Sequence, residues 1–226
     1  MPILHLNERD VHYFISPVVK TNMYVMIEEN EALIVDPHIS EEVDALLRAH
    51  NIKKVTIFLT HEHPDHTCGI PALMARFETV LFCQRFCAEA IADKRNNRPA
   101  LMVFVLAEQD KINGTNTAGE FQRNFPVYAC HADKTFEKKC EYVWGTERFE
   151  FTSTPGHSRG SCCIVWREKT IFTGDSLIFH AAPITRFPGG SASEYNTITR
   201  PFLDSFAADT TVLPGHGEPF CMEGIR

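Results

Sequence analysis

Immediately after the apolar run Val55-Thr56-Ile57-Phe58-Leu59 the chain reads Thr60-His61-Glu62-His63-Pro64-Asp65-His66. Four side chains of metal-ligand type, His61, His63, Asp65 and His66, fall within six residues. Neutral imidazoles and carboxylates offer lone pairs to a divalent cation, and Pro64 keeps the segment from continuing as a strand. A tight turn at a strand end aims several side chains at one point, and loops on a rigid scaffold are where sites usually sit. The competing reading is a solvated histidine-rich turn without chemistry, and the rest of the chain argues against it.

Three further ligand types repeat one grammar of apolar strand, glycine and ligand. They are His157 in Thr154-Pro155-Gly156-His157-Ser158, Asp175 in Phe172-Thr173-Gly174-Asp175-Ser176, and His216 in Leu213-Pro214-Gly215-His216-Gly217. Glycine lets the backbone turn sharply and approach closely, and α/β sheets collect ligands at strand ends. Each segment alone is commoner as a simple turn; with the first motif they make a set of five histidines and two aspartates. Two three-ligand sites need six, and a carboxylate shared by two cations accounts for the seventh. Imidazole and carboxylate without cysteine suit zinc first, with iron or manganese as alternatives. Two cations roughly 3.5–4 Å apart make hydroxide available at neutral pH and polarise a carbonyl or phosphoryl oxygen. No Ser-His-Asp triad is required: Ser158 and Ser176 read as turn or supporting residues, and Cys68 as core.

The ordered set H-x-H-x-D-H, Gly-His, Gly-Asp, Gly-His resembles the metallo-β-lactamase-fold superfamily over about residues 20–220. The segments TPGHSRGS, FTGDSL and LPGHGEP resemble its glyoxalase II-like branch. The resemblance implies a four-layer αβ/βα sandwich with the metals at one edge. It implies His61, His63 and His157 on one cation, Asp65, His66 and His216 on a second, and Asp175 as the bridge. Asp65 is then also the candidate catalytic residue, set to protonate or stabilise the leaving group. Asp36, in Ile34-Val35-Asp36-Pro37, matches an acidic residue that supports the ligand loop, and a carboxylate there suits the orienting of a ligating imidazole.

The function so implied is a dinuclear metal-dependent hydrolase acting on a small ester, thioester or lactone-type substrate. Residues 180–187, His-Ala-Ala-Pro-Ile-Thr-Arg-Phe, lack the Gly-basic pair that the resemblance associates with glutathione binding, and the chain ends ten residues after His216. Weak activity on glutathione thioesters is therefore expected. The alternative is a persulfide dioxygenase-like oxidoreductase with a single iron on His61, His157 and Asp175, a motif set that resembles this one equally.

Positioning these ligands requires covered sheets. Strands are expected around 12–17, 22–27, 32–35 and 55–59, and a helix at 40–50 capped by Ser40 with Glu41 and Glu42 in its first turn. Helices at 67–76 and 84–94 flank a strand at 79–83, and strands at 141–144, 147–153, 161–166 and 170–173 follow as a hairpin-like series. A helix near 194–207 and a strand at 210–213 complete an α/β protein of one domain. Segment 95–139 reads as neither helix nor strand and is either a substrate-covering insertion or a plain surface one.

Composition narrows the partners to a small-molecule substrate. The formal charge is −7, with 22 basic against 29 acidic residues and no basic stripe, which argues against nucleic acid. No apolar run approaches membrane-spanning length. The start, Met-Pro-Ile-Leu-His, lacks the form of an export signal, so a cytoplasmic setting is expected, with the eight cysteines reduced and mostly buried. Cys83 and Cys87 at i, i+4 and the adjacent Cys162-Cys163 fit core faces and make no CxxC pair.

Overall fold

Two mixed sheets face one another. β1 (Ile3–Leu6), β2 (Arg9–Ile15), β3 (Asn22–Glu28), β4 (Glu31–Val35), β5 (Lys54–Phe58), β6 (Glu78–Gln84) and β7 (Lys134–Phe136) pair in chain order, antiparallel as far as β4 and parallel from β4 to β7. The second sheet runs β13 (Phe220–Cys221), β12 (Thr211–Pro214), β11 (Thr170–Gly174), β10 (Cys162–Trp166), β9 (Glu147–Ser153) and β8 (Lys139–Trp144), with only β11 and β12 parallel. The computed structural model describes residues 2–97, 99–125 and 127–225.

The central strands are apolar along their length because both faces are covered. In β3 and β4, Val25 and Ile34 enter one core while their neighbours Met26 and Leu33 enter another. The first core joins that sheet to helices, with Val43 and Leu47 of α1 (Glu41–Ala49), Leu73 of α3 (Ile70–Met74), Ile91 of α4 (Arg85–Ile91) and Phe121 of α6 (Thr117–Asn124). The second lies between the sheets, where Phe58 meets Phe149 and Phe151 edge-on at centroid distances of 5.3 and 4.8 Å. A third packs Leu203 of α8 (Arg200–Asp204) on Cys163, Ile171 and Val212. Helices, sheet, sheet and helices make the four layers expected for a metallo-β-lactamase fold. Ser40 caps α1 by accepting from the Val43 N–H at 3.3 Å, as the sequence predicts.

Three expectations are corrected. The helix at 67–76 is two helices, α2 (Pro64–Thr67) and α3, because Pro71 has no N–H to bond back to Thr67. The ligand motif therefore ends inside a helix, with Pro64 at its first turn, where proline fits. The helix at 194–207 is broken into α7 (Ala192–Glu194), a π-helical turn over Tyr195–Thr199 and α8; Pro201 removes a donor, and the Arg200 N–H reaches back to Tyr195 O. Within 95–139, the described residues form α5 (Pro99–Asn113), α6 and β7. Among the described residues no helix is long and apolar enough to cross a membrane.

All eight cysteines are free: Cys221 is exposed, Cys140 half-buried and the other six buried. Burial pushes the Cys163 thiol up to about 12 and Cys130 to about 11, far from the reactive thiolate range. A thiol reagent should therefore label Cys221 promptly in the native protein and eight groups in denaturant. Six or fewer groups in denaturant would show that a disulfide forms.

Candidate metal centre

The predicted ligands leave the C-terminal ends of strands in both sheets and meet at one edge between them. Asp36 follows β4, Thr60 to His66 follow β5, His157 follows β9, Asp175 follows β11 and His216 follows β12. Parallel pairing of β4 with β5 and of β11 with β12 puts these ends side by side. The glycine grammar has a steric cause. Gly174, at φ +48°, lies so close to the motif that a Cβ there would be 2.3 Å from Thr60 Oγ1, and a Cβ on Gly215 would be 2.3 Å from Asp175 Oδ1.

All seven predicted ligands converge. His63 Nδ1 is 3.1 Å from His61 Nε2 and 3.0 Å from His157 Nε2. Asp65 Oδ2 is 3.6 Å from His66 Nε2 and 3.4 Å from His216 Nε2. Asp175 lies between these two triads, its Oδ1 3.4 Å from His66 Nε2 and its Oδ2 3.5 Å from His157 Nε2 and 3.6 Å from His216 Nε2. Metal–nitrogen bonds of about 2.0–2.1 Å in a tetrahedron put neighbouring ligand atoms about 3.3 Å apart, which these spacings match. Asp65 Oδ1, His66 Nε2 and Asp175 Oδ1 are buried without a hydrogen-bond partner among the described residues. Acceptors left unmet in a dry site fit a cation, and the residues present therefore suit divalent metals.

In His61, His66, His157 and His216 the other ring nitrogen is committed elsewhere, and this orients the inward lone pair. His66 Nδ1 donates to Asp36 Oδ2 at 3.0 Å, His157 Nδ1 to Ile184 O at 2.8 Å and His216 Nδ1 to Lys20 O at 3.1 Å. Asp36 also accepts from the Thr60 N–H at 2.7 Å and the Thr60 Oγ1–H at 2.5 Å, and His61 Nδ1 donates to that same hydroxyl at 3.1 Å. Asp36 sits in the left-handed region at φ +54°, and its contacts suit a carboxylate that orients a ligating imidazole. One carboxylate fixes the rings of His66 directly and His61 through Thr60.

Electrostatics separate the two halves. Burial and neighbouring histidines hold His61 well below the ordinary imidazole range, and burial brings His63 down to about 4, so both are neutral at pH 7. Burial also opposes charge on His66, but Asp65 and Asp175 outweigh it and raise that group well above its ordinary value. The same histidine–carboxylate pairing overcomes burial to hold Asp65 and Asp175 below the usual carboxyl range. The Asp65–His66–His216 half thus attracts positive charge.

Two supports escape sequence reasoning. Glu62, between two ligands, accepts from Ser158 Oγ at 2.8 Å and the Gly160 N–H at 3.4 Å, tying the first motif to the His157 loop. Burial pushes its carboxyl up. Only the glutamate's place between two histidines hinted at this, since its partners lie 96 residues away. Tyr195 of the π-helical turn donates to Ser176 O at 2.9 Å, and Thr199 Oγ1 to Pro155 O at 2.6 Å, so that turn braces the Asp175 and His157 loops. Glu62→Ala should weaken the metal held by His61, His63 and His157 about 10-fold or more, while Glu62→Gln keeps most of the affinity. Competition against a chromophoric chelator measures both, and equal affinity of Glu62→Ala and the parent protein would refute the tie.

A cleft of about 440 Å³ opens over Asp65, Asp175 and His216, with Met102 and Leu106 of α5 in its wall. A second cavity of about 310 Å³ shares His63, Met102 and Phe187 with it.

With this geometry in hand, comparison with known proteins is informative. The profile of the Metallo-beta-lactamase superfamily matches residues 16–216. A probable metallo-hydrolase, YqgX of Bacillus subtilis, is 24% identical over 88% of this chain and 86% of its own length. A hydroxyacylglutathione hydrolase of Francisella philomiragia is 23% identical over 73% of this chain but 50% of its own length. The BLEG-1 B3 metallo-beta-lactamase crystal structure superposes with a TM-score of 0.73 at 24% identity, covering 95% of each chain.

Proposed function

The chain belongs to the metallo-beta-lactamase superfamily, and from that premise we propose that it is a dinuclear metal-dependent hydrolase of a small ester, thioester or lactone. The observation that carries this reading is Asp175, whose two oxygens lie 3.4–3.6 Å from ring nitrogens of both histidine sets. His61, His63 and His157 would hold one cation, and Asp65, His66 and His216 the other. Zinc suits this nitrogen–oxygen set first. Bound together, such cations supply a nucleophilic water at neutral pH and Lewis acidity for the carbonyl.

The protein's own groups do the positioning. Asp36 and Thr60 keep His66 and His61 with Nε2 turned inward. Asp65, held ionised, with its Oδ1 buried and without a hydrogen-bond partner among the described residues, would accept a proton and pass it to the leaving group. Phe187 packs edge-on against His63 and His157 at centroid distances of 5.6 and 6.1 Å and limits water at that end. The α5–α6 pair walls the cleft and acts as the substrate-covering element. The likeness to YqgX supports hydrolysis.

The test loads one preparation with zinc and one with iron, measures metal per chain, and assays ester, thioester and lactone hydrolysis beside oxygen uptake with a persulfide. Two metals per chain and hydrolysis without oxygen uptake are expected. Residues 180–187 lack a Gly-basic pair, so glutathione thioesters should trail simple acyl substrates. Oxygen uptake confined to the iron form, with negligible hydrolysis in either, would favour a single iron on His61, His157 and Asp175 instead.

A further inference from the structure

The two openings at the site differ in chemistry. The cleft over Asp65 and His216 is the more polar of the two, with Lys20, Asp110, Asn113 and Thr115 on its walls among apolar residues such as Val18 and Leu106. The adjoining cavity is walled mostly by apolar surface, from Pro64 of α2, Ala90 of α4, Met102 of α5 and Phe187 and Pro188 of the loop after β11, with Glu62 and Asn96 as its polar side chains beside His63. It reaches the site at Glu62 and His63, and Phe187 stands beside His63 as the partition. Its volume of about 310 Å³ is at the small end of ligand-binding pockets. Resting on the hydrolase reading above, we propose that this cavity receives the acyl chain of the substrate and that the chain is an uncharged hydrocarbon of medium length. The polar leaving side then lies in the cleft over Asp65.

The assignment follows from what each wall can offer. A hydrocarbon entering the cavity exchanges water for proline, methionine and phenylalanine surface, and each buried methylene strengthens binding about fourfold. An ionised chain end would be desolvated against those same walls at large cost. The cleft offers a hydroxyl, thiol or ring oxygen more hydrogen-bonding groups, Lys20, Asp110, Asn113, Thr115 and Thr117, than the cavity, where only Glu62 and Asn96 stand beside His63 among the described residues. Met102 and Phe187 border both spaces, so one substrate can span them with its carbonyl at the ligand cluster.

A series of thioesters with one leaving group and acyl chains from acetyl to octanoyl, assayed on zinc-loaded protein, tests this. The expected result is a rise in kcat/KM of about fourfold per methylene up to a plateau, with butyryl preferred over succinyl, in which a carboxylate replaces the terminal methyl. Ala90→Trp, which fills the cavity from α4, should cut the hexanoyl-to-acetyl ratio more than tenfold. Calorimetric binding of the linear carboxylates from acetate to octanoate should give the same gradient, and it decides the matter even if Ala90→Trp fails to fold. A flat series in both measurements, a preference for succinyl, or a gradient that survives in folded Ala90→Trp would overturn the assignment. No turnover of any acyl substrate alongside a clear binding gradient would overturn the hydrolase reading and leave the cavity's preference standing.

Discussion

Asp175→Ala should lose both metals to a degree that no other single carboxylate change does, with turnover down by more than about 100-fold. Its oxygens approach ring nitrogens of His157, His66 and His216 at once, so its removal takes a ligand atom from each half of the cluster. It also leaves buried imidazoles facing one another without the negative charge between them. Asp36→Ala strips the acceptor from the Thr60 N–H, the Thr60 hydroxyl and His66 Nδ1, but removes no inward-facing atom. Loss of such an outer partner typically costs about 10- to 100-fold in metal affinity or activity, and unmet buried donors cost about 1–3 kcal/mol of stability. Metal analysis and turnover on both variants decide between the roles. Two metals per chain in Asp175→Ala, or equal losses in the two variants, would end the case for a shared carboxylate.

Metal removal should be the other large effect. Without cations, Asp65 and Asp175 remain buried beside imidazoles whose protons replace the metal only in part, and Asp65 Oδ1 and Asp175 Oδ1 lack partners among the described residues. A ligand that binds only the folded state stabilises it by about 4 kcal/mol at a thousandfold excess over Kd. For a chain of this size each kcal/mol moves Tm by about 2–4 °C, so a strong chelator should lower Tm by roughly 10 °C and abolish hydrolysis. Zinc added back should restore both together. A Tm unchanged to within a degree after complete chelation would show that the cluster is prefolded and holds metal weakly.

The seven ligands and Asp36 were legible because their information is local. Each sits where a run of apolar residues stops at a turn, and strand followed by glycine and ligand is written in consecutive positions. Covered strands such as Val55 to Leu59 read clearly because burial on both faces removes alternation. Segment 95–139 was illegible for the converse reason: Pro99 to Leu106 is apolar throughout, so α5 carries no 3.6-residue stripe to mark it as a helix. The two-residue β13 and the outermost strand β1 are set by pairing with β12 and β2, contacts that no short window contains. Pro201 has no N–H to donate and marks a break in that helix, but does not by itself specify a π-helical turn.

Which side-chain atoms are candidate metal ligands, and which strand end delivers each, can be read from consecutive residues, because residue identity and strand periodicity are local properties. Only the tertiary structure decided how those atoms group. That Asp175 stands between the two triads, and that Glu62 ties the first motif to the His157 loop, depends on two sheets packed face to face with these strand ends at one common edge. So does the pairing of a polar cleft with an apolar cavity, whose walls come from α2, α4, α5 and the loop after β11. Those relations join residues tens to more than a hundred positions apart, and packing between the layers, rather than any local pattern, sets their distances.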